Sequence, residues 1–462
     1  MSNEKKGAFS MAVLYFFQDL LSTPAVLIAL MTMIGLILLK SDPADIVKGT
    51  LKSFLGFIII GAGAGVIVGS LEPFASMFAH AFNTQGVVPN NEAIIALALA
   101  EYGEVTAFIM FFGMIANLLL ARFTRLKFVF LTGHHTLYMA CLIGVVFLTV
   151  GMSMTMTIAI GSVALGLTMI LFPAMAQPTM RKIVKMDDVA FGHFSTISYW
   201  SSAMVGKLFG GNSKSTEDIN FPKGLAFFRD TSVAIATTMS IVYIILAIAA
   251  GPAFVHAELS DGTNFIVFAL IQGITFAAGV FIVLQGVRLI LAEIVPAFKG
   301  ISEKLIPGAR PALDCPVVFP YAPNAVLIGF FSSFVGGIIG MIVLALTGGI
   351  IILPGVVPHF FVGATAGVFG NATGGARGAV LGSFVNGLLL AFAPLLLIPL
   401  LGNLGFAETT FSDLDFIATG FVLGNAGQIS QIAAVVVVIG IAALLVIHNY
   451  VASKPEEVPS SE

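Results

Sequence analysis

Four short strings hold the side chains with most chemistry to offer inside an apolar chain. Asp314 stands between two prolines in Pro311-Ala-Leu-Asp-Cys-Pro316. Proline lacks an N–H and breaks helices, so freed backbone groups and a carboxylate can face a ligand hydroxyl. The plainer reading is a loop acid at the entrance to a span. His134 and His135 precede Tyr138 at the start of an apolar run. A neutral imidazole donates from one nitrogen and accepts at the other, which suits hydroxyl-rich ligands; the alternative is a pair of interfacial histidines. His193 and Phe194 lie in Phe191-Gly-His-Phe-Ser-Thr196, which reads as a re-entrant hairpin or half-helix, against the alternative of an amphipathic cytoplasmic helix. Asn91 and Glu92 open an apolar segment, 92–100, that is too short to span a bilayer. As a re-entrant segment it carries the pair inward; as an ordinary helix start it is an N-cap with a first-turn acid.

These residues point to binding rather than bond-breaking. The sequence offers no convincing metal-ligand cluster and no nucleophile–base pair, and it implies no cofactor. Arg288 and Glu293 flank the end of an apolar span and read as structural. His80, His256, His359 and His448 fall near span ends and receive no role. The two cysteines, Cys141 and Cys315, sit in apolar surroundings and suggest neither a disulfide nor a zinc site. The glycine-rich runs 61–69 and 336–340 lack the lysine of a phosphate loop and suit close helix packing.

The elements that must position these groups are membrane spans. Of 462 residues, 58% are apolar and 10% charged, with a mean hydropathy of +1.03. A soluble domain carries roughly 25% charged residues. The net charge of −3 indicates no nucleic-acid partner. A span needs about 20 apolar residues, and about eleven candidates fit: 24–39, 51–71, 105–120, 128–150, 154–176, 231–253, 265–287, 325–346, 350–369, 379–401 and 429–448. The stretch 9–21 reads as an interfacial helix. Lysine and arginine alternate cleanly between successive gaps. Cation-rich gaps mark the cytoplasm, which puts the N-terminus outside, in the periplasm, and the C-terminus inside; only Lys5 and Lys6 disagree.

An internal repeat is also legible. Gly63 and Pro73 are matched by Gly286 and Pro296 at the same spacing. Tyr102 with Phe111-Phe112 is matched by Tyr321 with Phe330-Phe331, and Leu131-Thr-Gly133 by Leu353-Pro-Gly355. The shared order, with opposite direction by the charge argument, is the mark of an inverted-topology repeat, spanning approximately 20–225 and 226–405, with a final helix at 429–449. A further echo, Phe191-Gly-His193 against Phe369-Gly-Asn371, has the wrong parity for this scheme. The expected fold is an all-α polytopic membrane protein with re-entrant segments and a site at the repeat interface.

Three strings carry a family resemblance: Phe130-Leu-Thr-Gly-His-His135, Gln285-Gly-Val-Arg-Leu-Ile-Leu-Ala-Glu293, and Pro307-Gly-Ala-Arg-Pro-Ala-Leu-Asp-Cys-Pro316 continuing to Tyr321-Ala-Pro-Asn-Ala-Val326. With nearly the whole chain, they resemble the IIC permease of the ascorbate-type phosphotransferase system. The resemblance implies a homodimer in the bacterial inner membrane, each protomer with a V-shaped dimerisation domain and a core domain that carries the sugar by an elevator movement. It implies uptake of L-ascorbate, phosphorylated by a partner IIB subunit that IIA supplies; neither a IIA nor a IIB domain is in this chain. Carried over by position, the ligand contacts fall on Asn91, Glu92, the stretch His134, His135 and Tyr138, then His193, Phe194 and Asp314. The pattern departs where His135-Thr-Leu-Tyr138 and Phe194-Ser-Thr196 lack the glutamines of enteric members. Same-fold galactitol or polyol transport, and ion-coupled secondary transport, are the alternatives.

Overall fold

A computed structural model describes residues 24–82, 86–185, 187, 189–219, 230–406 and 408–451. The interfacial helix expected at 9–21 lies outside the described residues, as do Lys5 and Lys6. The chain is built from long apolar helices. Their backbone donors and acceptors are satisfied within each helix, as a lipid environment requires. Among the described residues, six helices are long and apolar enough to cross a membrane, or seven if one bent pair counts as a span.

Two groups of helices form. In the first, α1 (Pro24–Leu38) and α2 (Pro43–Phe82) pack with α7 (Thr231–Ala250) and α9 (Phe265–Leu305). Helices α2 and α9 are 40 and 41 residues long, and glycines let them approach. A Cβ on Gly63 would lie 2.7 Å from Val283, and one on Gly286 would lie 2.5 Å from the Gly56 carbonyl. Small residues at such crossings are the usual device inside membranes. In the run 61–69 only Gly63 does this, because Gly61, Gly65 and Gly69 meet nothing within 4 Å. Between α7 and α9, the short α8 (Pro252–Glu258) turns away from α7 by 100° after Gly251.

The second group holds α3 (Asn91–Phe123), α4 (Gly133–Thr149), α5 (Met154–Val184), α6 (Thr196–Phe209), α10 (Pro323–Thr347), α11 (Ala364–Phe392), α12 (Leu414–Ile429) and α13 (Gln431–Val451). Of the expected spans, 350–369 begins in extended chain that includes Ile351–Ile352, and its second half joins 379–401 in one helical stretch, His359–Leu400. Its backbone breaks at Gly374 (φ −145, ψ 16) and Gly375 (φ 59, ψ −153). A Cβ on Gly370 would collide with the Gly378 carbonyl. Eight residues of straight helix span about 12 Å, so that contact requires two arms folded back on each other. The expected eleven spans exceed the six or seven that length and apolarity support. One reason is that α1 and α4 have 15 and 17 residues, and α6 and α12 only 14 and 16.

Among the described residues, six short strands tie the halves together: β1 (Gly86–Pro89), β2 (Phe128–Phe130), β3 (Ala190–Phe191), β4 (Arg310–Leu313), β5 (Ile351–Ile352) and β6 (Thr409–Thr410). They form two parallel three-stranded sheets with orders β5-β1-β6 and β2-β4-β3. In the first sheet Val87 stands opposite Ile352 and Pro89 opposite Thr410. In the second, Phe130 and Ala190 both stand opposite Ala312. The element order β–α3–β–α4–α5–β–α6 in the first half recurs as β4–α10–β5–α11, whose two arms answer α4 and α5, then β6–α12. The leading strand of each half sits at the centre of a sheet whose edges come from the other half. The second run ends with α12 at Ile429, beyond the boundary expected at 405.

The sheets also separate charge. Arg122, Arg125, Lys127, Arg181, Lys182, Lys185 and Arg310 lie in or beside the strands of β2-β4-β3. Around β5-β1-β6 no lysine or arginine falls nearer in sequence than Arg377, 25 residues past Ile352 (377 − 352). On the cationic side Asp187 accepts from Arg181 (2.6 Å), Gln177 (3.0 Å) and Arg310 (2.7 Å). The Arg310 guanidinium also lies over the Phe128 ring, 5.7 Å from its centroid.

Candidate functional site

Every strand points the chain at one place. Within six residues of its end, each is followed by a residue that lines a single cavity of about 300 Å3: Asn91 and Glu92 after β1, His134 and His135 after β2, His193 after β3, Asp314 after β4, Val357 and Pro358 after β5, and Ser412 and Asp413 after β6. That volume is at the small end of the range for ligand pockets. Helices α3, α4, α6 and α12 begin at or just beyond this wall. Their N-termini bring the positive end of the helix dipole toward it, with first-turn N–H groups of α3, α6 and α12 held by side-chain caps. Ser232, Phe281 and Arg288 close the cavity from the α7/α9 group, and Tyr138, Phe361 and Val362 complete it.

Hydrogen bonds fix the orientation of these groups. The Phe194 N–H donates to His135 Nδ1 (3.1 Å). That nitrogen is therefore the acceptor, and the ring proton sits on Nε2, which faces Asp413 Oδ2 at 3.9 Å. His193 stands between two carboxylates. Its Nδ1 lies 3.8 Å from Asp413 Oδ2 and 2.7 Å from the Tyr199 hydroxyl, and its Nε2 lies 3.9 Å from Asp314 Oδ1. His134 Nε2 lies 3.5 Å from Asp314 Oδ2. Asp314 Oδ1 accepts from the Cys315 N–H (2.7 Å), so the acid flanked by prolines acts as a cap with that oxygen also toward His193, while Oδ2 faces His134. Asn91 Oδ1 accepts from the Ser412 N–H (3.0 Å), and the Ser412 hydroxyl donates to Asp413 (2.7 Å). Asn90 caps α3 by accepting from the Ala93 N–H (2.7 Å), which leaves Asn91 and Glu92 in the first turn facing inward.

Two buried polar atoms of the wall, Glu92 Oε2 and Tyr138 Oη, have no hydrogen-bond partner among the described residues. A buried unpartnered polar atom costs about 1–3 kcal/mol, so a polar ligand reaching both would be stabilised there. The arrangement offers imidazole donors, carboxylate and amide acceptors, and hydroxyls that serve as either. Three donor sets approach the spacing of a metal site: His134, His135 and Asp314; His135, His193 and Asp413; and His193, Asp314 and Cys315. The first two need His135, whose one lone pair is already used by the Phe194 N–H. In the third, Asp314 is engaged at Cys315 N and Cys315 Sγ lies 3.6 Å from the Tyr199 hydroxyl. Hydrogen bonding accounts for these positions without coordination.

Seven of the eight expected residues meet at the cavity: Asn91, Glu92, His134, His135, Tyr138, His193 and Asp314. Phe194 is not among its lining residues. Its ring is fully buried and stacks on Phe130, with centroids 4.5 Å apart, and its backbone serves the site through His135. Glu293 is structural as expected, paired with Lys52 at 2.8 Å. Arg288, expected to be structural, lines the cavity instead. Sequence reasoning passed over Ser412, Asp413, Asp415, Pro358 and Phe361. A signal existed for the two acids: Asp413-Leu-Asp415 opens an apolar segment too short to span. The segment opened by Asn91-Glu92, expected to be short and re-entrant, is instead the capped start of the continuous 33-residue α3.

The family model described as "PTS system sugar-specific permease component" matches residues 19–415. The chain is also similar to a protein of Mycoplasma pneumoniae named "Ascorbate-specific PTS system EIIC component", at 26% identity over 430 residues. That match covers 81% of this chain and 64% of the relative, so the chain spans less than two thirds of the relative's length. The chain belongs to the phosphotransferase-system sugar-specific permease family and is a multi-pass membrane protein.

Proposed function

From this membership we propose that the chain is the membrane permease subunit for L-ascorbate, working with cytoplasmic IIA and IIB subunits of which IIB phosphorylates the incoming sugar. The observation that carries the reading is the convergence of helix N-termini and three imidazoles on one cavity. Ascorbate is a monoanion rich in hydroxyls. Positive helix ends favour its charge, and His134, His135 and His193 can donate to its oxygens. Asn91, Glu92, Tyr138 and Asp314 serve as further contacts, with Phe194 acting through its backbone.

The cavity lies where the two helix groups meet, with Arg288 and Phe281 on one side and the strand ends on the other. Rigid movement of the strand-bearing group against the α7/α9 group would carry the ligand across the bilayer, an elevator-type alternating access. The cation-rich sheet faces the cytoplasm of a bacterial inner membrane by the positive-inside rule, with the N-terminus periplasmic. The α1/α2/α7/α9 group is the V-shaped dimerisation domain of a homodimer in lipid.

A second reading has its own support. Glu92, Asp314 and Asp413 place three carboxylates around the cavity, and acids repel an anion while accepting hydrogen bonds from a neutral polyol such as galactitol. A binding screen of the purified protein against ascorbate, galactitol and related sugars decides between them. Ascorbate binding with no galactitol binding is expected; the reverse overturns the assignment. Accumulation of unmodified substrate in cells lacking IIB, abolished by an ionophore, would instead indicate ion-coupled transport.

A further inference from the structure

Asp415 is completely buried and lines no part of the cavity, yet it joins the two halves beside it. Its carboxylate accepts from the backbone N–H groups of Thr196 (2.7 Å) and Ile197 (2.9 Å), in the first turn of α6. Its own N–H donates to the Phe194 carbonyl (3.3 Å). In return the Ser195 hydroxyl oxygen accepts from the Leu414 N–H (3.2 Å), in the first turn of α12. Helix α12 thus caps α6, and α6 caps α12. These helices follow β3 and β6, the third strands of their halves. Each capping side chain lies two residues after a cavity residue: His193 before Ser195, and Asp413 before Asp415.

We propose that this reciprocal cap makes Asp415 a positioning residue that fixes the His193–Asp413 pair of the ligand site. Four N–H groups at a helix start lack intrahelical partners, and a carboxylate taking two of them forms strong charge-assisted bonds. The segment 193–197 is otherwise anchored by the Phe194 N–H on His135 and the Gly192 N–H on the Leu313 carbonyl. Those two bonds hold it to the first half's α4 and to β4. The cap's hydrogen bonds, with the edge-on contact of the Phe194 and Phe416 rings (centroids 5.7 Å apart), tie it to α12, and so hold the 3.8 Å separation of His193 Nδ1 and Asp413 Oδ2. Displacing either half-helix would shift both ligand groups together. This inference rests on the cavity being the ligand site.

The test compares the full-length variants Asp415→Asn, Ser195→Ala, their combination, and Tyr243→Phe as a control. The Tyr243 hydroxyl donates to the Ser70 carbonyl (2.7 Å) within the other helix group. Binding of ascorbate and galactitol, thermal unfolding, and the ring nitrogen NMR signals of His193 in ligand-free protein are measured. Asparagine keeps one acceptor and turns an N–H toward the other backbone donor. Asp415→Asn is expected to weaken the bound ligand by about tenfold or more and to move the His193 signals. Ser195→Ala should do both to a smaller degree, and the double variant should bind nearly as well as Asp415→Asn alone, because the two caps act as one unit. Tyr243→Phe should lower the melting temperature without changing affinity or the His193 signals. Wild-type affinity in folded Asp415→Asn, unmoved His193 signals, or losses that multiply in the double variant would overturn the proposal. If wild type binds neither ligand, the ascorbate and polyol readings fail and the His193 signals still decide this one. If Asp415→Asn does not fold, Ser195→Ala with unmoved signals sinks it.

Discussion

Replacing His193 with alanine probes the centre of the site. The ring packs on His135, with centroids 3.8 Å apart, and its nitrogens face three groups: the Tyr199 hydroxyl at 2.7 Å, and Asp413 and Asp314 at 3.8 and 3.9 Å. Its loss removes one donor to the ligand, worth about 1.5–3 kcal/mol when either partner is charged. It also removes the imidazole standing between two carboxylates, leaving like charges facing each other with less to offset them. Together these amount to about 2–4 kcal/mol of binding, or roughly 30- to 1,000-fold in Kd at 1.4 kcal/mol per tenfold. Calorimetric titration of purified His193→Ala with ascorbate measures it, with a melting curve to establish folding. A folded variant within threefold of wild type would refute the placement of His193 at the ligand. The neighbouring change, Phe194→Leu, should show the opposite balance. Loss of the stack on Phe130 lowers the melting temperature, while affinity changes by less than about threefold, since the backbone bond to His135 survives.

Three further outcomes are expected. Asp314→Asn keeps an acceptor for the Cys315 N–H but loses the charge facing His134 and His193; affinity should fall by about tenfold or more with little change in melting. Gly375→Ala should destabilise by about 1–3 kcal/mol in thermal or denaturant unfolding, because φ 59 with ψ −153 is a region for glycine, and a Cβ there would strike the Ser213 carbonyl; wild-type melting would contradict the folded-back hairpin. Asp187 is held below the ordinary carboxylate range by its hydrogen bonds from Arg181 and Gln177. A depressed folded value gives stability that is present above the unfolded value and lost as pH falls through the folded one. Asp187→Asn should therefore melt lower than wild type at pH 7, with the gap closing below about pH 4; a gap independent of pH would show that the ion pairs are not its source.

Several features were legible because they rest on strong local physics. Proline-flanked Asp314 and the His134–His135 pair stand out in an apolar chain, where ionisable groups are costly. Leu131-Thr-Gly133 directly follows a strand ending at Phe130, and Leu353-Pro-Gly355 one ending at Ile352. The strands themselves were not visible. Two to four residues inside an apolar run have too little length for a period-2 pattern, and their partners are distant in sequence. The same blindness hid Asp413 and Asp415, which sat in a cation-free gap read as an external loop. It also misdirected the echo of Phe191-Gly-His193. The structure places Phe369 inside α11, whereas the residue that follows β6, as His193 follows β3, leads to Asp413 through Phe411-Ser412. Phe194 was misjudged for a different reason: sequence position cannot distinguish a side chain that faces a ligand from one whose backbone holds a neighbour that does.

The crosswise strand exchange has a consequence for biosynthesis. Strand β1 ends at Pro89, but its partners begin at Ile351 and Thr409, so 262 to 320 residues (351 − 89 and 409 − 89) must emerge before its edges are covered. At the ribosome's ~5–20 residues per second, that is a wait of about 15–60 s with unpaired backbone at the membrane. A nascent chain released between residues 314 and 350 would carry β2 and β3 with β4 between them, but β1 alone. The N-terminal half can therefore be inserted early, but it cannot mature early. Quality control in the cell would have its natural window in that interval, and chains stalled between β4 and β6 are where it would act.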